Sequence, residues 1–292
     1  YDFSFVGQWF PARTLGLRAW FDGEHMHYNV ALPDCQFTDF IRAATDDTCT
    51  SASYGIARWV APIAGVPPPR HHPFVHVPDL DFYQLVGGLI AVNWCLIDVL
   101  AIFQQVGYHV LPPAPMEYLG YRPPSAMDGS PAPLSVAFSP AAAATSERVW
   151  RAALQEDFDH GLRDARFWAT DAVWYGPTGI GTARSRADYV KHFLGPLHSA
   201  FTRIERATDI IVCEGPYCGA HFYLFANHTG VWLGEAATGR RVPLRCGAHA
   251  RIVDGLIVEA WLILDIPLAF NAMGIDLYGR AAQAAAAQDH VH

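Results

Sequence analysis

The sequence predicts an α+β protein of two tandem units, each with helices first and a run of antiparallel strands after. Three observations carry this. A W-x3-D segment occurs twice, 167 residues apart and without a gap. In the second half, two stretches of helical periodicity precede four strand-like ones. Between the halves, Leu111 to Ala144 holds eight prolines, the pattern of an extended connection.

The repeat aligns Leu85–Asp98 with Ile252–Asp265. Gly88 matches Gly255, Trp94 matches Trp261, and Asp98 matches Asp265. Phe103 with Phe270 and Gly107 with Gly274 extend it. Residues 85–103 alone imitate a membrane span, nineteen residues with one charge, Asp98. The second copy carries Asp254, Glu259 and Asp265, so neither copy should cross a bilayer. The period is far longer than that of a solenoid and indicates a duplicated domain. The expected organisation is a first unit over 1–111, a Pro/Ala-rich linker over 112–139, a second unit over 140–280 and a disordered tail over 281–292.

In the second unit, Ser139-Pro140 reads as a helix start, with Ser as N-cap and Pro at the first helical position. That helix runs toward Phe158. A turn follows at Gly176–Gly181. Ser185 and Asp188 open a second helix whose stripe is Tyr189, Phe193, Leu197 and Phe201, bent by Pro196. Strands are expected at 207–214, 219–227, 242–253 and 256–265, with Asp254-Gly255 as a hairpin turn.

Alternate residues of a strand share a face. Glu259, Trp261, Ile263 and Asp265 therefore line one face. With Val253 opposite Leu256, unbroken pairing puts Ala250, Ala248, Cys246 and Leu244 on that face and Arg245, His249 and Arg251 on the other. A Trp and an acid facing small residues leave room for a ligand. Helper groups for Asp265 would be His221, Tyr223 and Asn227 on the preceding strand, or His192 on the second helix. The plain alternative is that Asp265 caps a helix starting at Pro267 and that Trp261 is core.

Composition narrows the function classes. Apolar residues are 51% and charged residues 16%, which excludes a disordered chain. A net charge of −8 argues against a nucleic-acid partner. Cys35, Cys49, Cys95, Cys213, Cys218 and Cys246 form no C-x-x-C pair and are expected to be reduced. The fourteen histidines complete no metal-ligand spacing, so no metal is expected. Gly176-x2-Gly179-x-Gly181 lacks a following Lys-Ser/Thr and is a turn rather than a phosphate loop. Asn227-His228-Thr229 fits a glycosylation pattern but falls inside an expected strand. No signal peptide is visible, and a cytoplasmic location is expected.

These motifs resemble the SnoaL-like polyketide cyclases, the ester cyclase branch of the nuclear transport factor 2-like superfamily. The resemblance rests on Asp171-Ala-Val-Trp174-Tyr-Gly-Pro-Thr-Gly-Ile-Gly181, on Gly230-Val-Trp-Leu-Gly234, and on Gly255-Leu-Ile-x3-Trp261-x3-Asp265. It covers 145–277 well and 1–110 more weakly. It implies two cone-shaped barrels, each a curved antiparallel sheet wrapped by helices around an apolar ligand, and a fused pseudo-dimer. It also implies ring closure by intramolecular aldol condensation without metal or cofactor, with one acid serving as general acid/base. By resemblance that role falls on Asp265, with His221 and His192 assisting and Asp98 as its counterpart. Trp261, Tyr223, Asn227, Trp174, Tyr175, Phe193, Asp98 and Trp94 would line the substrate, a small apolar molecule. The first unit has no Gly-Pro-Thr-Gly-Ile-Gly and places Gly65-Val-Pro-Pro-Pro69 where the second has Gly230–Gly234. Its cone should be open or distorted and should brace the second. A non-catalytic ligand-binding or association module of the same fold is the competing reading.

Overall fold

The computed structural model describes residues 4–6, 14–71, 73–129, 139–160 and 165–289. It contains two six-stranded sheets of one topology. The first is ordered Thr14–Leu15, Ser4–Val6, Leu89–Ile97, Phe74–Val86, Thr48–Arg58, Gln36–Ala44, and the second Thr182–Ala183, Trp168–Tyr175, Leu256–Leu264, Arg241–Val253, Tyr217–His228, Phe201–Glu214.

The first unit has β1 (Ser4–Val6) and β2 (Thr14–Leu15), then α1 (Leu17–Trp20), a π-helical turn (Phe21–His25) and α2 (Met26–Ala31). Strands β3 (Gln36–Ala44), β4 (Thr48–Arg58), β5 (Phe74–Val86) and β6 (Leu89–Ile97) follow, then α3 (Val99–Gln105). The second unit opens with α4 (Pro140–Leu154), which continues as a π-helical turn (Gln155–Asp159). Next come β7 (Trp168–Tyr175), β8 (Thr182–Ala183), α5 (Arg186–Tyr189), a π-helical turn (Val190–Leu194) and α6 (Gly195–Ala200). Strands β9 (Phe201–Glu214), β10 (Tyr217–His228), β11 (Arg241–Val253) and β12 (Leu256–Leu264) precede α7 (Ile266–Met273) and α8 (Leu277–Asp289).

The duplication is near-literal. Strands β5 and β6 start and end 167 residues before β11 and β12. The helices over 17–31 precede those over 186–200 by 169. Both W-x3-D segments are strands ending in an aspartate that caps a helix. Asp98 accepts from Ala101 N–H at 3.2 Å and Asp265 from Leu268 N–H at 3.0 Å. The expected starts at Ser139-Pro140 and Ser185 are present, and Ser185 accepts from Asp188 N–H. The second helix passes through its π turn just before Pro196, where the missing N–H and the ring disrupt regular winding.

The expected strand run over 207–265 is antiparallel throughout, and each sheet adds one parallel pair, β1 with β6 and β7 with β12. Three expectations change. Gly230–Gly234 is not a strand. It is a tight turn with Leu233 and Gly234 at positive φ and a Trp232–Glu235 bridge, and Ile63–Val66 makes the same turn in the first unit. Pro67, Pro68 and Pro69 follow that turn and interrupt no ladder. The chain from 281 to 289 is helical rather than a disordered tail, and Gln288 bonds to the carbonyls of Val106 and Gly107 across the units. Residues 290–292 lie outside the described residues. Finally, Cys213 and Cys218 are disulfide-bonded, since the β9–β10 hairpin sets them directly opposite each other.

The sheets pack outer face to outer face through Phe40, Leu80, Phe82, Trp94, Leu96, Trp261 and Ile263. Gly247 allows the close approach, because a Cβ there would lie 2.8 Å from Leu96 Cδ1 and 3.0 Å from Phe82 Cε2. The described part of the linker follows the second unit. Tyr121 donates to Leu262 O at 2.6 Å, and Trp261 Nε1 donates to Arg122 O at 2.7 Å.

Candidate active site

Asp265 is buried at the start of α7. A β-bulge between Arg251 and Ile252 shifts the β11–β12 register, so Trp261 lies opposite His249 rather than Ala248. A one-residue slip turns every side chain beyond it to the other face. Ala248, Ala250, Ala260 and Leu262 therefore line the helix-covered inner face, while Trp261 and Ile263 join the layer between the sheets. The first unit has its bulge at the matching place, between Gln84 and Leu85.

The expected site residues scatter accordingly. Asp265 is 2% exposed, caps α7, and lies 3.6 Å from Arg245 Nη1. His221 is between the sheets, with Nδ1 2.8 Å from Asp209 Oδ2 and Nε2 accepting from Arg245 Nε at 3.1 Å. Burial lowers its pKa to about 4, so it is neutral near pH 7. Arg245 thus joins Asp265 to His221, but as a buried clamp. His192 is half-buried beside linker residues Pro112, Pro113 and Pro115, in a separate cleft. Tyr223 stacks on Phe225, and Asn227 pairs with Thr202 and Arg241 on the neighbouring strands. Tyr175 stacks on Trp261 at 5.6 Å, and Trp94 meets His221 at 5.9 Å. Trp174 and Phe193 stack at 4.6 Å inside the second unit. Asp98 accepts from Thr178 N–H of the second unit at 2.8 Å.

The inner face of the second sheet is filled. Helix α4 and its π turn supply Trp150, Leu154 and Phe158, which pack with Trp168, Trp174 and Tyr189. The enclosed space left there is about 10 Å³, barely enough for one water. One carboxylate sits among these rings, Asp157, accepting from Trp168 Nε1 at 3.0 Å and Tyr189 OH at 3.2 Å.

The first unit has no counterpart of α4 among the described residues, and its inner face is different. Along β5 that face reads Val75, Val77, Asp79, Asp81, Tyr83, switching from apolar to acidic halfway. The equivalent β11 positions are Val242, Leu244, Cys246, Ala248 and Ala250. Asn93 and Cys95 of β6 and Cys49, Ser51 and Ser53 of β4 stand beside the acids. A cleft of about 500 Å³ opens here, lined also by Phe37, Asp39, Arg42, Tyr83 and Glu214.

Its two acids are joined. Asp79 accepts from Ser53 Oγ at 3.2 Å and from Cys95 Sγ at 3.4 Å, and Asp81 accepts from Asn93 Nδ2 at 2.8 Å. The carboxyls also hydrogen-bond to each other, and Tyr83 to Asp81. Burial raises both pKa values, Asp79 further because Asp81 lies beside it. Two adjacent acids cannot both ionise cheaply, so the pair is disposed to share one proton. Burial also keeps the Tyr28 and Tyr83 hydroxyls protonated, far above the ordinary phenol value. Oxygen and sulfur atoms of Asp79, Asp81 and Cys95 lie within 4.8 Å of one another, the group among the described residues that could hold a metal ion. In this arrangement the thiol and one carboxyl are spent as hydrogen-bond donors, which suits proton transfer better than metal ligation.

The sequence reading missed this pair. Its signal was present, since Asp79-Leu-Asp81 in a strand puts two carboxylates on one face two residues apart.

Residues 149–267 match the sequence model of the SnoaL-like polyketide cyclase family. No curated protein is significantly similar to the chain. Among solved structures, AclR of Streptomyces galilaeus is 23% identical over 45% of this chain and 97% of its own, with a TM-score of 0.41. IdmH of Streptomyces antibioticus is 23% identical over 44% and 99%, with a TM-score of 0.39. A SnoaL-like protein of Jannaschia sp. CCS1 is 18% identical over 46% and 94%, with a TM-score of 0.41. No helix among the described residues is long and apolar enough to cross a membrane.

Proposed function

We propose, from the premise that residues 149–267 form a SnoaL-like polyketide cyclase domain, that this chain is a general acid/base catalyst whose working site is the first unit's cleft. The reaction class is ring closure by intramolecular aldol addition, or a related isomerisation. The observation that carries the reading is the hydrogen-bonded Asp79–Asp81 pair in a cleft of about 500 Å³. The Asp81 carboxylate takes a proton from a carbon activated by a neighbouring carbonyl. The carbanion attacks a second carbonyl, the new C–C bond forms, and the Asp79 carboxyl gives its proton to the resulting alkoxide. Asp81 then holds one proton and Asp79 none, and transfer across their hydrogen bond restores the pair. A raised pKa suits this work, because acid and base are strongest as catalysts when they titrate near the working pH.

The lining argues for a small substrate bearing carbonyl or hydroxyl groups. An entirely apolar one would leave Arg42, Ser51 and Tyr83 without exchange partners for their lost water. The second unit, with its filled interior, fits the non-catalytic association role.

The test uses a general proton-abstraction probe, nitrobenzisoxazole, and the variants Asp81→Asn and Asp265→Asn. Loss of probe turnover in Asp81→Asn, with most of it retained in Asp265→Asn, supports the reading. Turnover unchanged in Asp81→Asn, or lost only in Asp265→Asn, refutes it.

A further inference from the structure

Two side chains of β11 cross from the second unit to the back of the strands that carry the acid pair. Arg245 Nη2 donates to the backbone carbonyl of Cys95 at 2.6 Å, on the strand whose thiol donates to Asp79. Four residues on, His249 lies 2.7 Å from Thr50 Oγ through Nε2, and Thr50 Oγ donates to the backbone carbonyl of Asp81 at 2.7 Å. A hydroxyl has one hydrogen. Thr50 spends it on Asp81, so His249 must donate and is the Nε2–H tautomer. Its ring stacks on Phe82 at 5.1 Å, next to Asp81 in the chain. Between them Gly247 lets Leu96 and Phe82 touch the β11 backbone, and Gly219 leaves room for Thr50 and His249.

We infer that Arg245 and His249 are positioning residues for the acid pair, holding the Cys95 and Asp81 backbones from behind so that Asp79, Asp81 and Cys95 stay within hydrogen-bonding reach. This rests on the reading of the first cleft as the working site. The first unit has no equivalent clamp, since Pro78 and Phe82 occupy the matching positions of β5. The second unit keeps its own acid, Asp265, as the partner that holds Arg245 in place. The roles expected of the two units are thereby exchanged. The second braces and the first works.

His249 is the clean probe, because burial lowers its pKa to about 3 and its removal takes no charge away. His249→Phe keeps a ring on Phe82 and deletes the donor to Thr50. The readout is carboxyl-carbon NMR of Asp79 and Asp81 across pH in the full chain. The expected result is a displacement of the coupled titration by about half a unit or more, roughly a threefold change in proton affinity. A second variant, Arg245→Met with Asp265→Asn, removes both members of the buried ion pair and should move the titration too. If both variants fold and titrate as wild type, with only their unfolding midpoints lowered, the contacts are packing and the inference falls. Wild-type Asp79 and Asp81 titrating as ordinary carboxylates would instead refute the proposed function, before any variant is made.

Discussion

Asp98 accepts a hydrogen bond from the backbone N–H of Thr178, eighty residues further on, at 2.8 Å, and so ties the end of the first sheet to the turn at 176–181 of the second. The carboxyl is 4% exposed, and desolvation raises its pKa to about 6 against the opposing pull of Thr178 and Ala101 N–H. The native state then holds this proton more tightly than the unfolded chain. Stability from this group is fully present below about pH 4 and is lost as pH rises through about 6. The amount is about 3 kcal/mol. Asp98→Asn should flatten that part of the stability–pH curve, measured by urea unfolding between pH 4 and 7 beside wild type.

Asp265→Asn should act on stability rather than chemistry. It leaves Arg245 buried and without its carboxylate partner at 3.6 Å, a loss of about 3–5 kcal/mol for a broken buried pair. Denaturant unfolding should show the loss, while probe turnover per folded molecule should fall far less than in Asp81→Asn, because Asp265 reaches the acid pair only through Arg245.

Asp79 and Asp81 should prove coupled. Asp81 raises the Asp79 pKa by charge and by hydrogen bonding, so Asp81→Asn should let Asp79 titrate at lower pH than in wild type. Carboxyl-carbon NMR reads this directly. An unmoved Asp79 would mean the two acids do not share a proton.

Gly247→Val should force the sheets apart. Its Cβ would sit 2.8 Å from Leu96 Cδ1, and overpacking of this kind costs about 1–3 kcal/mol. The loss should appear in denaturant midpoints.

Reducing Cys213–Cys218 should cost at most about 2 kcal/mol, because the bond closes a short loop in a hairpin already paired on both sides. Unfolding with and without reductant checks it.

Local chemistry made several features legible from the residues alone. The Asp254-Gly255 hairpin and the caps at Ser185 and Asp265 are decided within a few residues of themselves, and the α+β class and the duplication by patterns along the chain. Asp254 and Gly255 sit at φ 50° and 77°, the conformation that pair favours. The acid pair was legible in principle, because Asp79 and Asp81 need only a strand to share a face. The repeated Trp and Asp form the more conspicuous pattern, because they recur at a fixed offset and the acid pair occurs once.

Tertiary structure alone decided which faces look inward and which unit is open. One unpaired residue at the β11–β12 bulge moved Trp261 and Ile263 from the inner face to the layer between the sheets, and pairing counted from the turn cannot see it. Asp265 had an N-cap legible in the sequence, but its ion partner Arg245 became visible only once that register was known. The inner faces of two sheets with one topology diverged because α4 fills one with Trp150, Leu154 and Phe158. Beneath it, Ala248 and Ala260 must be small and apolar. Where no such helix lies, polar Asp81 and Asn93 can stand at the equivalent positions beside an open cleft, close enough to each other to share a hydrogen bond.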